Sequence, residues 1–556
     1  MKRSVFPFLL FLLLTPAWSS GTGLYEEQLN RGIINSEPYS YLLIKEAKTN
    51  KTNAENLLQE AVRYSPDLPA AYFELSKNSF KFTAEGIFEA VDYMLQGIAA
   101  YKRNFWWSSM MIASLFMSTI LSFIISVLII IMIRLPEDIP LFSHDIKEEK
   151  SNIFLLLVLV LAVFGPLYLL GALLILISLY QKRSLDKFII YFYVLFLLIS
   201  PWVFHTVSII FNAPASAELK AVVQVNESKD GRYALSLLKG SNNPVELFSY
   251  ALALKREGRY REAIDIYGKL IAMKSDPRAY NNLANCYVAI NDLEKAKELY
   301  KKSIELKQLP AALYNLSRVY RERFDFEKGE EYFLSAQKLD NEAVQRFRSI
   351  SGRHPNRFVA DEMLPFSVLW DYARGKATGT VTMGLSVLPP GFMPVLGFFL
   401  TMLFLILNKR FKNRAYRCGK CGKILCLHCE KQIRWGRMCS QCYRSLIKLD
   451  ELDAKERIAK LLAVYEHQKR RRDFLRAMSF VIPGSCQIYA GNILYGLLFL
   501  WPFLFFLLIP VMNSFFVMEM SNFSHIWLNL ISLYLMVVVY FISNVITRRR
   551  LAKGWL

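Results

Sequence analysis

The chain has 556 residues, of which 53% are hydrophobic, 40 are Phe and 21% are charged, with a formal net charge of +21. That length allows several domains, and so apolar a composition excludes an ordinary soluble protein. The basic excess is what Lys and Arg flanking membrane segments produce, so it gives no reason to invoke nucleic acid as a partner.

At the N-terminus Lys2 and Arg3 precede an apolar run from Val5 to Leu14 and then Pro16-Ala17-Trp18-Ser19. This is the pattern of a secretory signal peptide over residues 1–19, with an uncleaved anchor as the alternative. Residues 20–104 are expected to form a small helical domain. Six apolar stretches are long enough to cross a membrane, at about 105–134, 153–180, 188–211, 382–408, 478–512 and 525–545. They set out a three-helix membrane region over 105–211, a single helix at 382–408, a hairpin over 478–545 and a basic tail at 546–556.

Charge orients these stretches. Asn408-Lys409-Arg410, Lys469 to Arg472 and Arg548 to Arg550 read as cytoplasmic. Residues 212–380 then fall on the opposite face. By the same count the acidic stretch from Pro136 to Lys150, read as a loop, lies outside and the N-terminal domain inside. A cleaved signal peptide contradicts the last placement. Either the signal or the simple crossing of all three early stretches must give way.

Between about 244 and 340 the chain repeats every 33 residues. Leu254, Tyr287 and Tyr320 correspond, as do Tyr250, Leu283 and Leu316. Ala263, Ala296 and Gly329 hold a small-residue position, and Tyr267, Tyr300 and Phe333 a large one. Each unit reads as two amphipathic helices joined by a polar turn, with the small position allowing close approach and the large one filling the gap to the next unit. This pattern resembles the tetratricopeptide repeat family, and it predicts a helical-repeat domain over 212–376 with its flanking helices. A weaker trace at 36–100, carried by Ala54, Leu58, Ala61 and Ala70 to Leu75, resembles degenerate units of the same kind. The resemblance implies a concave groove for a protein or peptide ligand. Asn282 and Asn315 fall where such repeats present an amide to a ligand backbone or carboxylate, with Asn285, Arg318 and Arg321 near that face. Solvated polar positions are the alternative reading of the same residues.

Residues 409–477 carry Cys418-x2-Cys421, Cys426-x2-Cys429 and Cys439-x2-Cys442, then a basic amphipathic helix ending in Lys469 to Arg472. The first and third pairs have the spacing of one tetrahedral zinc site. Four thiolates leave no open coordination position, so the expected Zn2+ is structural. The third pair opens a predicted helix, a treble-clef arrangement in which the helix N-terminus stabilises the thiolates. The run resembles the latter part of a FYVE-type finger. That family needs an upstream CxxC to partner Cys426 and Cys429, and none is present. These two cysteines form an incomplete second site, with His428 as a further ligand, or a packed pair. Reduced thiolates put this segment in the cytoplasm. The basic helix can lie along membrane lipids.

The hairpin begins Pro483-Gly484-Ser485-Cys486-Gln487-Ile488-Tyr489-Ala490-Gly491. This resembles the PG-x-GQ-x-Y-x-G signature of two-helix bacterial membrane domains. Gly484, Gly491 and Gly496 would allow close packing and Gln487 a hydrogen bond across the hairpin. No phosphate-binding loop, HExxH, GxSxG or kinase motif occurs.

These features predict a mainly α, polytopic helical membrane protein of a bacterial inner membrane, with a tetratricopeptide-type domain and a small zinc-binding knuckle. The function they suggest is a non-enzymatic scaffold, with repeats on the outer face and zinc inside. A membrane-embedded transporter or enzyme, and a metal or redox sensor using Cys426 and Cys429, are the competing readings.

Overall fold

Proline opens the first helix of each repeat. Pro244, Pro277 and Pro310 begin the helices Pro244–Arg256, Pro277–Ala289 and Pro310–Glu322. An N–H at that position would have no intrahelical partner, so proline loses nothing there. Asn243 and Asp276 cap the first two by accepting from Val245 N and Arg278 N. The second helices are Tyr260–Met273, Leu293–Leu306 and Phe326–Leu339, the last two capped by Asp292 and Asp325. Between the two helices of each repeat, the equivalent residues Gly258, Asn291 and Phe324 take left-handed backbone angles, with φ of 79°, 64° and 60°.

The computed structural model describes residues 21–149, 166–181, 183–376, 414–426, 438–447, 454–516 and 526–553, with isolated helical positions between 395 and 406. Residues 1–19, expected to be a signal peptide, and most of the 382–408 stretch lie outside the described residues. The chain is mainly α and divides into two units, Met1–Ser109 with Ile210–Thr378, and Met110–Ile209 with Gly379–Leu556.

In the first unit the repeat core follows the expected size pattern. Ala263, Ala296, Tyr267 and Tyr300 are fully buried. A Cβ on Gly329 would stand 2.6 Å from Arg321 Cγ, so the third unit also needs its small residue. The helices Glu37–Thr49, Ala54–Tyr64, Pro69–Ser79 and Ala84–Tyr101 form the N-terminal part. This part meets the segment ahead of the repeats through polar contacts: Asn35 donates to Glu227 O at 2.8 Å, and Lys229 bridges Glu37 and Glu227 at 3.0 and 2.5 Å.

The second unit holds long apolar helices. Among the described residues, Phe105–Asp145, Ile493–Phe515 and Leu528–Ala552 are long and apolar enough to cross a membrane, while Leu169–Tyr180 is shorter. The helix Ser184–Asn212 packs against the first of these, Phe123 meeting Tyr193 and Phe196 with ring centroids 5.0 and 4.3 Å apart. Ser114, Ser118, Ser122 and Ser126 form a buried small-residue stripe on the first helix, which allows close helix approach.

Two expectations change here. The acidic stretch is not a loop, because Phe105–Glu149 is one helix that continues through Pro136 and Pro140. Neighbouring elements can take up the backbone groups that proline frees. Nor does that stretch lie on the face opposite the cysteine segment. Arg417 pairs with Glu137 at 3.2 Å, and Asp145 accepts from Ala415 N at 2.9 Å. Ion pairing and a buried backbone donor place the acidic turns beside the knuckle. The same end gathers Arg134, which binds Asp138 at 2.5 Å and Tyr489 O at 2.8 Å, and Asp186, which accepts from Leu494 N at 2.9 Å.

The hairpin closes as its glycines require. Gly484 has φ of 79°, and a Cβ there would stand 2.1 Å from Gly496 O. Gln487 is buried and donates to Thr547 Oγ1 at 2.8 Å. Cys486 donates to Leu475 O at 2.8 Å from a buried position.

Candidate functional site: an asparagine-lined groove and a four-cysteine centre

The first helices of the repeats line a concave face with amides. Asn281, Asn282, Asn285 and Asn315 are all fully buried, so they are not solvated positions. What covers them is the chain itself. After the short helix Pro355–Phe358 the backbone runs extended to Pro365 before the helix Phe366–Lys376.

The contacts repeat at every second residue. Asn315 donates to Ala360 O at 2.8 Å and accepts from Ala360 N at 2.7 Å. Asn282 does the same for Glu362, at 2.9 and 2.8 Å. Asn226, at the end of the helix Ala217–Asn226, does it for Leu364, at 3.0 and 2.6 Å. Each asparagine behaves as one residue of a neighbouring strand, satisfying both polar groups of an extended residue. Asn281 and Asn285 add donors to Ala360 O at 3.2 and 3.0 Å. Tyr300 donates to Asn285 Oδ1 at 2.6 Å and fixes that amide.

Between two clamped residues sits Asp361. Lys255 reaches it at 2.9 Å and Arg256 at 3.4 Å, and Asn285 donates to it at 2.9 Å. Burial pushes its carboxyl up, but Lys255 and Arg256 outweigh this and hold it below the usual carboxylate range. Glu362 meets less compensation, and burial drives it up to about 7.

Arg318 and Arg321 do not touch this ladder. They line an open cleft of about 430 Å³ with Arg348, Tyr314, Phe333 and Phe358. Arg318 lies 4.2 Å over the Phe358 ring and donates to Ser351 Oγ at 2.6 Å. Arg321 lies 4.9 Å over Phe333 and pairs with the exposed Glu330 at 2.6 Å. Asn226, Asn281 and Arg348 escaped sequence reasoning. Asn226 stands outside the 33-residue register, and its only signal was a lone asparagine at a helix end.

In the second unit Tyr416–Arg417 pairs antiparallel with Ile424–Leu425, and Gly422 makes the turn at φ of 77°. This ribbon carries Cys418 and Cys421, and the helix Ser440–Leu446 carries Cys439 at its cap and Cys442. The four sulfurs lie within 4.8 Å of one another. Cys421 Sγ and Cys439 Sγ are 3.7 Å apart. A tetrahedral ion with metal–sulfur bonds near 2.3 Å would set them about 3.8 Å apart, so these four fit a metal ion. Burial raises the Cys418 thiol, but backbone N–H groups of Cys421, Lys420 and Cys439 bring it down to about 7. Cys426 is buried beside the ribbon, while His428 and Cys429 lie outside the described residues.

The comparisons agree with the repeat geometry. Residues 277–308 and 310–342 each match the tetratricopeptide repeat family. The protein carries tetratricopeptide repeats. The mitochondrial import receptor subunit TOM70 of Saccharomyces cerevisiae, from strains YJM789 and ATCC 204508 / S288c, is 43% identical over 67 residues. That match covers 11% of this chain and 11% of each relative. The likeness therefore spans about a tenth of either chain. Repeats of this family make protein–protein contacts, and here they sit in a chain that has, among the described residues, three helices fit to cross a membrane.

Proposed function

We propose that this protein is a non-enzymatic adaptor of a bacterial inner membrane, which binds segments of partner proteins through its tetratricopeptide groove and carries a structural zinc on its cytoplasmic side. The observation that carries this reading is the triple clamp of Asn315, Asn282 and Asn226 on alternate residues of an extended backbone. The groove has the chemistry of a peptide reader, with amides for any backbone and a cationic pair for a carboxylate. The partial likeness to an import receptor subunit supports a role in recognising protein segments. Zn2+ at Cys418, Cys421, Cys439 and Cys442 would supply no open coordination position, and its role would be to hold the ribbon to the helix.

Contacts within the second unit support this orientation. The knuckle and the acidic turns after Arg134 share one end with Asp186, Tyr489 and Leu494. Exposed Lys469, Arg470 and Arg472 carry the positive charge of a cytoplasmic face. With the knuckle inside, the first long helix would enter from outside, as a cleaved signal peptide requires.

The transporter or enzyme reading finds its best support in the buried pair Arg134–Asp138. Its groups bind one another and Tyr489 O, as helix-packing contacts do.

Single cysteines at Asn242 and Ala454, both exposed, test the arrangement. Labelling of intact cells by an impermeant maleimide at Asn242→Cys alone is expected. Protection of both positions would place the repeats in the cytoplasm and sink the envelope adaptor.

A further inference from the structure

The groove is full. Its occupant is the chain's own segment 359–364, and the chemistry of that occupant specifies what else can enter. We propose that this segment is a built-in competitor, exchanged for an extended acidic segment of a partner protein that first lands in the arginine cleft. The proposal rests on the adaptor reading and adds the partner's chemistry and the device that holds it off.

Three features define the incoming segment. The asparagine clamps bind only backbone groups, so they accept any extended chain with residues at the positions of Ala360, Glu362 and Leu364. Between the first two clamps the segment must bring a carboxylate. Lys255 and Arg256 are 0% and 8% exposed, and Asp361 balances them. A neutral peptide would leave two buried cations unpaired, which is strongly unfavourable. Finally, the residues ahead of the clamps should be acidic as well.

That last requirement comes from the cleft at the N-terminal end of the held segment. Arg318 is the cleft's link to the occupant, stacked on Phe358 and bonded to Ser351. Arg348 is exposed and makes no ion pair among the described residues. Among the described residues Arg321 forms its ion pair with Glu330, itself exposed. A carboxylate arriving here can engage Arg348 and Arg321 while 359–364 is still seated. Drawing Arg318 off Phe358 then loosens the first anchor, and the clamps open in order from Asn315 to Asn226. The charged cleft also steers an acidic segment to the groove's edge.

The test uses the full-length protein and a synthetic peptide with the sequence of residues 356–365. A second peptide has Asp in place of its Phe, and a third has Asn in place of its Asp. Amide hydrogen exchange is read at Ala360, Glu362 and Leu364 of the protein. The first peptide is expected to speed exchange at these three amides at least tenfold, because it takes their asparagines. The second should act at a several-fold lower concentration and the third at none reached by the first. Continued protection of all three amides at saturating first and second peptide overturns the exchange. So does equal action of the first and third peptides, since the carboxylate would then not be read. If crosslinking traps a partner on the repeats while the three amides stay protected, the exchange falls and the adaptor reading stands.

Discussion

Asn315 donates to Ala360 O and accepts from Ala360 N, so truncating it orphans the Ala360 N–H and leaves the carbonyl to Asn281 and Asn285. Each buried orphan costs about 1–3 kcal/mol. Asn315→Ala should therefore destabilise the first unit by about 1–3 kcal/mol in thermal unfolding, with faster exchange at Ala360 than at Leu364. Glu362 gives a pH dependence. Burial raises its carboxyl from the usual 4.5 to about 7, with Arg278 and Lys307 opposing the rise and Asp276 adding to it. A raised carboxyl favours the protonated form in the folded state. Its contribution is complete below pH 4.5 and is lost as pH rises through about 7. The melting temperature should fall between about pH 4.5 and 7 and level off above that, and Glu362→Gln should flatten the fall. Asp361 has the opposite sign, being held low by Lys255 and Arg256, and its contribution is lost only in acid. The repeat register singled out Asn282 and Asn315 as residues that hold a backbone. It could not identify that backbone, because an extended segment between Pro355 and Pro365 carries no hydrophobic period.

The repeats show how one backbone need is met three ways. Gly258, Asn291 and Phe324 occupy equivalent left-handed positions, and only the last is bulky. Phe324 is 81% exposed, so little packing offsets its strain. Phe324→Gly should stabilise the array by about 1 kcal/mol, read as a raised melting temperature. The four-cysteine element tests differently. Purified protein should hold one zinc per chain, and a chelator or Cys439→Ser should remove it and expose the ribbon to protease. Melting of the first unit should be unchanged, and a shift there would refute a purely local role. The spacing of the four cysteines was legible because metal geometry constrains it tightly. The continuation of the first long helix to Glu149 was not, because proline and acidic residues are the ordinary signs of a loop.

At the scale of the whole molecule, charge counting misplaced the acidic turns after Arg134. It treats each loop alone, whereas Glu137 and Asp145 are held by Arg417 and Ala415 from nearly three hundred residues away. The fold class was readable from apolar stretches and a 33-residue period, since both are local patterns. The groove's occupant was not local. An ordinary helical-repeat array touches only its neighbours, and it can form or fray from any point. This array is laced shut by contacts separated by 45, 80 and 138 residues along the chain. Such closures come late in folding, because the loops must be drawn in before the contacts reward them. The groove consequently stands open on every newly made chain until its own last segment arrives. During that interval any acidic segment nearby has first claim on it.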